Sequence, residues 1–440
     1  MSNANVTKPT EDAKVNNNNV VDTKPTEREI RDNLNKLGLK HINVPFLYEF
    51  MSIPSYSRFE FRLATYIILW AKRNNIDFTV DKKGNIYLTK GKLEEGEFYP
   101  CMTAHMDTVQ DKAKPFILAG ADLPLKTRVM KSKTADEFIH EIYVEGQGIG
   151  ADDKTGVFIS LSIMSKVDKI KAAFFVEEEI GMKGSEELDP TFFDDVAYVV
   201  GWDSPDLNRA AWKCSGTTLF SRDFYENGLK PVVTKWGMSD KSFHSEPFTD
   251  VVKIRNKTNV VCSNFGNGGY NAHSCNEYIV VEHVDHAIGM GLDIVNTIGN
   301  KKRFTIEKSL NSGYAYNSYS TDKSEDEKYL SKLFNEFNYS SSYNYNNNYS
   351  SNTNKSNSTT TSNNKVVDVK EGGLDEEVFK YMVETYDSYI NGLKDGIAKE
   401  CDAITDTIKD KFKEAGIDFS TFNLDIKETI LKVFNKEIAF

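Results

Sequence analysis

Along most of the chain, short apolar runs of strand character alternate with stretches where apolar residues recur every three or four positions. The stretch "IDFTVDKKGNIYLTKGK" reads as two strands around the turn signal "DKKGN". Further strand-type runs follow at "FYPCMTA", "KAAFFVEE", "VAYVVGW", "TTLFSRDF" and "TNVVCSNF". Helical spacing marks the segments on either side of "SIPSYS", where Pro and Ser break the pattern, and the segments "DKTGVFISLSIMSKV" and "NEYIVVEHVDHAIGMGLDIVNTI". Buried strands interleaved with helices predict an α/β fold. The expected form is a three-layer sandwich, a mostly parallel mixed sheet with helices on both faces.

The pattern also divides the chain. Residues 1–25 are Asn-, Thr- and Lys-rich without periodicity and read as disordered. Residues 26–303 read as one globular unit, and 304–365 as a low-complexity linker, because Asn338 to Asn364 holds no aliphatic residue but one tract of Asn, Ser, Thr and Tyr. Residues 366–440 regain helical spacing. Val378, Met382, Tyr386, Leu393, Ile397, Cys401, Ile404, Ile408 and Phe412 form an apolar stripe that needs a partner surface. A hairpin folding on itself, docking on the main unit, self-association and a protein partner all meet that need.

Composition narrows the function classes. A hydrophobic fraction of 39% supports a real core over 440 residues. A formal net charge of −11, with no Lys/Arg-rich block, argues against nucleic acid or an anionic membrane as partner. Five scattered cysteines without paired spacing read as reduced thiols. The polar first residues lack the apolar centre of a signal peptide, and "ATYIILWA" is too short to span a bilayer. The expectation is a soluble, cytoplasmic protein.

The candidate chemistry lies where apolar runs end. Only seven histidines are present, and one of them, His105, stands one residue from Asp107 as the run "FYPCMTA" closes. "GQGIGADDKTG" sets Asp152 and Asp153 before a helix, and "KAAFFVEEEIGMKGS" ends a strand in Glu177, Glu178 and Glu179. "VAYVVGWDSPD" ends another in Asp203, and "GGYNAHSCNEY" places His273 after a Gly-rich turn. Each piece alone has an ordinary reading: a helix cap for the Asp pair, a solvated face for the glutamates, a turn for Asp203. Together, carboxylates gathered at strand ends repel one another and resist desolvation unless positive charge sits among them. Two divalent cations would supply it, and a nitrogen and oxygen donor set without thiolate suits zinc, with manganese or cobalt as substitutes.

In their order and surrounding text, "IPSYSRFE", "DKKGN", "HMDTV", "GADDKTG", "EEIGMKGS" and "NAHSCNEY" resemble the co-catalytic zinc exopeptidases, the superfamily of peptidase T, carboxypeptidase G and the zinc aminopeptidases. The likeness covers about Thr26 to Asn300. It implies two metals, most simply Zn2+: His105 and Asp203 on one, Glu179 and His273 on the other, and Asp152 between them. It further implies Asp107 as the group that orients His105, and Glu178 as the general base of a metal-activated water. The activity implied is hydrolysis of short peptides.

The chain departs from many relatives in its spacing. Only 69 residues separate Asp203 from His273, and 46 separate His105 from Asp152, too few for the lid or dimerisation domain found at one or other place. The expectation is therefore a catalytic unit without a lid, and an aminopeptidase in preference to a carboxypeptidase or N-acyl amino acid hydrolase on the same site. No arginine for a substrate carboxylate stands out among Arg209, Arg222 and Arg255, and His244 is a weak candidate for an oxyanion donor. An inactive peptidase-like binding protein is the remaining alternative.

Overall fold

A computed structural model describes residues 39–132, 138–306 and 324–335. The N-terminal 1–25 segment, the Asn338–Asn364 tract and the C-terminal 366–440 segment lie outside the described residues.

Two helices open the described chain, α1 (Val44–Ser52) and α2 (Phe61–Arg73), on either side of the Pro/Ser break. Asn43 caps α1 by accepting from the Phe46 N–H at 3.1 Å. Strands β1 (Asp77–Val80) and β2 (Ile86–Lys90) follow, then β3 (Tyr99–His105), which is buried along its whole length. After the short helix α3 (Lys114–Leu118) come β4 (Leu125–Lys131) and β5 (Phe138–Val144), paired antiparallel. The long helix α4 (Ala151–Lys166) leads to β6 (Ile170–Phe175), the short α5 (Lys183–Glu186) and β7 (Val196–Ser204). Then come β8 (Ala210–Cys214), β9 (Thr217–Thr218), α6 (Lys230–Lys235), β10 (Phe243–Glu246), α7 (Asp250–Thr258) and β11 (Cys262–Gly266). Strands β12 (Gly269–Tyr270) and β13 (Tyr278–Val280) run into α8 (Val281–Ile298), and α9 (Glu325–Asn335) follows.

The main sheet has the order β1-β2-β6-β3-β7-β11-β8-β10, with β9 against β8. Its centre is parallel: β3 pairs parallel with β6 and with β7, and β7 with β11. The antiparallel pairs β1–β2, β2–β6 and β8–β11 flank it. Helices cover both faces. Side chains of adjacent strand residues point to opposite sides, and a Cβ on Gly201 would meet Val251 of α7, whereas Trp202 lies against Gly291 of α8 beside Ile163 of α4. A second sheet of order β12-β13-β5-β4 sits over the starts of α4 and α8. The architecture is thus the expected α/β sandwich with a small accessory sheet.

This topology positions the candidate residues. Parallel strands end on one side of a sheet, so whatever follows β3, β6, β7 and β11 gathers at one edge. His105 is the last residue of β3, Glu177 to Glu179 follow β6, Asp203 is next to last in β7, and the chain beyond β11 leads to His273.

Three expectations are corrected. The run "TTLFSRDF" is a strand only at Thr217–Thr218, and the chain is helical again from Arg222. A short buried apolar run cannot be told from a helix by periodicity, and here Phe220 and Phe224 are both fully buried in an aromatic cluster. The segment "NEYIVVEHVDHAIGM" is a strand before it is a helix, because Ile279 and Val280 pair with β5. The third correction concerns the linker range 304–365, which contains α9. Leu330 and Phe334 are fully buried, and Phe334 stacks on Phe243 at 5.0 Å and meets Trp212 at 5.5 Å. Lys213–Glu327 (2.7 Å) and the Tyr329 hydroxyl donating to Glu226 (2.6 Å) fix its rim. Tyr329 and Leu333 pack beside them, so the helical spacing of this short segment is present in the sequence but lies within a range read as linker from the tract that follows it. Phe334→Ala is expected to remove about 3–5 kcal/mol of this docking. Hydrogen exchange of the 325–335 amides should then approach that of an unprotected helix, and unchanged protection would show that Phe334 is not the anchor.

Candidate metal centre

His105 enters the site from a buried strand and is itself 1% exposed. Its Nδ1 lies 3.0 Å from the Asp107 backbone carbonyl and 3.4 Å from the Asp107 carboxylate. A carbonyl oxygen only accepts, so Nδ1 carries the proton and Nε2 faces the acidic cluster. The Asp107 side chain does more than orient the ring. Its oxygens accept from the N–H groups of Glu178 (2.9 Å) and Glu179 (3.2 Å) and from the Ser57 hydroxyl (2.7 Å), tying the end of β3 to the loop after β6.

Asp152 stands between the two histidines. Its Oδ1 is 3.0 Å from His105 Nε2 and its Oδ2 is 3.0 Å from His273 Nε2. Asp203 Oδ1 lies 3.5 Å from His105 Nε2, and Glu179 Oε1 lies 2.9 Å from His273 Nε2. Glu178 belongs to neither group of near contacts, its Oε2 being 4.0 Å from His105 Nε2. All seven residues singled out by the sequence therefore meet at one edge of the sheet. Backbone in the left-handed region at Glu177 (φ 53°), Asn271 (φ 56°) and His273 (φ 62°) turns the supporting loops inward.

The electrostatics of the metal-free cluster show what it lacks. Burial opposes protonation of His105, yet Asp107, Asp152 and Asp203 outweigh it and hold the imidazole well above its ordinary pKa. Asp152 and Glu179 push His273 up to about 11. Burial raises Glu179 to about 7 and Asp203 to about 6, and it drives Glu178 well above the usual carboxylate range, with Asp203, Asp250 and Glu179 adding to the effect. Among the described residues in direct contact with these acids, His105 and His273 are the groups whose protonation the acids favour. Metal bonds of about 2.0–2.2 Å at tetrahedral angles put donor atoms about 3.3–3.6 Å apart, close to the separations here. Among the described residues, the trios whose donor atoms all lie within 4.8 Å of one another are His105, Asp152 and Glu179, and His105, Asp153 and Asp203.

Several further residues support the cluster, and of these the sequence marks only Asp153, beside Asp152. Asp153 has an oxygen within 4.8 Å of donor atoms on His105 and Asp203. Its oxygens already accept from the Gly156 N–H (3.0 Å), the Asn267 amide (3.0 Å) and the His105 N–H (3.3 Å), so it acts as a frame for the site. Asn264 accepts from the Asp203 N–H at 2.9 Å, and its own amide donates to the buried Glu246 at 3.1 Å. Glu60 accepts from the Glu177 N–H at 3.2 Å. Glu277 accepts from the Asp152 N–H at 3.1 Å. Apart from Asp153, these are single polar residues that become informative only once the fold brings them to the cluster. Of the other five histidines, His140 pairs with Glu282, His283 bonds the Tyr270 hydroxyl (2.7 Å), His41 and His286 meet Trp236 edge-on, and His244 lies within β10.

Buried acids behind the site set a pH dependence. Burial, aided by Asp107, pushes Glu60 up to about 8, and burial pushes Asp250 up to about 7. A carboxyl raised in the folded state holds a proton that the unfolded chain has lost, so its contribution to stability declines as pH rises between the two values. Buried Lys154, lowered to about 7, acts in the opposite sense only above that pH. The metal-free protein is therefore expected to melt at a higher temperature at pH 5 than at pH 7, with Glu60→Gln removing part of the difference. A melting temperature that climbs over that interval contradicts the assignment.

No protein-family model matches the sequence, and no curated protein matches it. Among solved structures, the chain is similar to aminopeptidase PepT from Bacillus cereus, with 15% identity, a TM-score of 0.46 and coverage of 59% of this chain and 100% of that one. It is similar to a tripeptidase from Staphylococcus aureus at 14% identity and a TM-score of 0.46, covering 59% of this chain and 99% of that one. The TET1 peptidase of Pyrococcus horikoshii, which can assemble into a tetrahedron or a large octahedral shell, matches at 15% identity and a TM-score of 0.39, over 56% of this chain and 97% of that one. With scores below 0.5, the functional reading rests on the site itself. No helix among the described residues is long and apolar enough to cross a membrane.

Proposed function

We propose that the chain is a two-metal exopeptidase, an aminopeptidase acting on short peptides. The observation that carries this reading is the Asp152 carboxylate, with one oxygen 3.0 Å from each of two imidazoles and a further acid at each end. In this reading His105, Asp152 and Asp203 hold one cation, and His273, Asp152 and Glu179 the other, with zinc as the native metal and cobalt or manganese able to replace it. Such a pair, when bound, supplies Lewis acidity that polarises the scissile carbonyl and lowers the pKa of water.

The chain's own residues supply the rest. Glu178 takes the proton of the attacking water and delivers it to the leaving amine. Its N–H is fixed by Asp107, so the base is held on the same frame as His105. The Asp107 carbonyl keeps the His105 proton on Nδ1, leaving Nε2 as a donor to metal. The choice of an aminopeptidase over a carboxypeptidase is supported by the arginines. Arg255 is buried (2% exposed), Arg222 lies over the Tyr329 ring, and Arg209 bonds Glu246 at 3.3 Å. None of these three is disposed to receive a substrate carboxylate. The reading places the protein in the cytoplasm, in keeping with free cysteines at 101, 214, 262 and 275.

Metal content per chain, measured after loading with zinc or cobalt and removing the excess, tests the site. About two equivalents, with release of the N-terminal residue from unblocked but not N-acetylated tripeptides, is the expected result. No retained metal would overturn the hydrolase. Cleavage of the acetylated peptide alone would overturn the aminopeptidase in favour of an acyl amino acid hydrolase.

A further inference from the structure

Glu277 is a buried acid, 1% exposed, four residues beyond His273 on the loop that joins β12 to β13. Its carboxylate leaves that loop for the start of α4. Oε2 accepts from the Gly150 N–H at 2.7 Å and from the Gln110 side-chain amide at 3.3 Å, and Oε1 accepts from the Asp152 N–H at 3.1 Å. Gln110 in turn accepts from the Gly148 N–H at 3.1 Å. The approach is close: a Cβ on Gly148 would stand 2.2 Å from the Gln110 amide and 2.6 Å from Glu277 Oε2, so one or both side chains would have to shift.

We propose that Glu277 is a positioning residue that fixes the His273 loop to the backbone of Asp152, so that the second cation position exists only while this bridge is made. The proposal rests on the two-metal reading above and goes beyond its ligand set. The two positions differ in what else supports them. His105 is buried at a strand end and held by Asp107. His273 is 45% exposed, stands on a left-handed loop residue, and meets the cluster only through Asp152 and Glu179 among its described contacts. Loss of the bridge therefore falls on the position of His273 and Glu179, while His105, Asp203 and the Asp152 side chain still serve the first. An amide in place of the carboxylate would turn a donor toward at least one of three donors, so Glu277→Gln removes the bridge with little change of volume.

The test titrates metal-free wild type and E277Q with Co2+, followed by calorimetry and cobalt absorption, beside thermal melts of the metal-free proteins. Wild type is expected to take two equivalents. E277Q is expected to keep the first and bind the second about 10–100-fold more weakly, without a matching loss of metal-free melting temperature. If E277Q does not fold, Gly148→Ala, which crowds the same carboxylate, is expected to give the same split. A second equivalent bound as tightly in the variant as in wild type overturns the role of Glu277 alone. A wild type that takes fewer than two equivalents overturns the two-metal reading and this inference with it.

Discussion

Glu178→Gln is expected to lower kcat by about 10²–10⁴-fold, to leave KM nearly unchanged, and to retain both metals. The three outcomes follow from where Glu178 sits. Its Oε2 is 4.0 Å from His105 Nε2, outside the 2.9–3.5 Å contacts that mark the donors, so its replacement removes no ligand. Its N–H is pinned to Asp107 at 2.9 Å, so the amide side chain projects from an unmoved backbone. What disappears is the capacity to accept a proton, which an amide lacks at any accessible pH. Steady-state kinetics on an unblocked tripeptide, beside metal analysis of the same preparation, separates this from the competing role. If metal content falls in step with kcat, Glu178 is a ligand. If kcat falls less than tenfold, another group is the base.

The parts legible in the sequence are those where two signals coincide. His105 and Asp107 combine a buried run with a rare residue type at its end, and β3, β6 and β7 were readable because central parallel strands are apolar on both faces. The convergence of Asp152, Glu179, Asp203 and His273 follows once those strands are parallel. The strands at the β8–β10 end of the sheet were not legible, whereas β1 and β2 at the other end were marked by their turn. Strands β8 and β10 hold only five and four residues, and Lys213 and His244 interrupt their apolar patterns. The frame around the site is also hidden, because Glu277, Asn264 and Glu60 are isolated polar residues whose partners at the site lie far along the chain. Asp107 was foreseen as the group behind His105, but its grip on the Glu178 and Glu179 N–H groups is a tertiary contact that spacing does not encode. Helix α9 docks through Leu330 and Phe334, with Tyr329 and Leu333 beside them, on the Trp212 and Phe243 cluster.

A bridging ligand and a terminal ligand should fail differently, and this gives the largest expected effect on metal binding. Asp152→Asn is expected to cut retained metal from about two equivalents to near none, whereas Glu179→Gln is expected to leave about one. Asp152 offers one oxygen toward His105 and the other toward His273, so an amide there weakens both positions and puts an N–H₂ toward one of them. Glu179 is closest to the His273 side, at 2.9 Å, with an oxygen also within 4.8 Å of His105 and Asp152 donors, and its loss leaves His105, Asp152 and Asp203 in place. The loss of affinity at each affected position should exceed the 10–100-fold typical of removing a group that merely supports a ligand. Both variants keep side-chain volume. Glu179→Gln removes a carboxyl that burial already holds high, whereas Asp152→Asn removes a carboxylate that, despite burial, His105 and His273 hold low. A melt of the metal-free proteins is therefore run beside the metal analysis to separate loss of ligand from unfolding. Activity should fall in both, and further in Asp152→Asn, which leaves no cation to polarise the carbonyl or to lower the pKa of water. If Asp152→Asn keeps one equivalent at wild-type affinity, the carboxylate does not bridge. If Glu179→Gln loses both, the two positions are not separable as drawn.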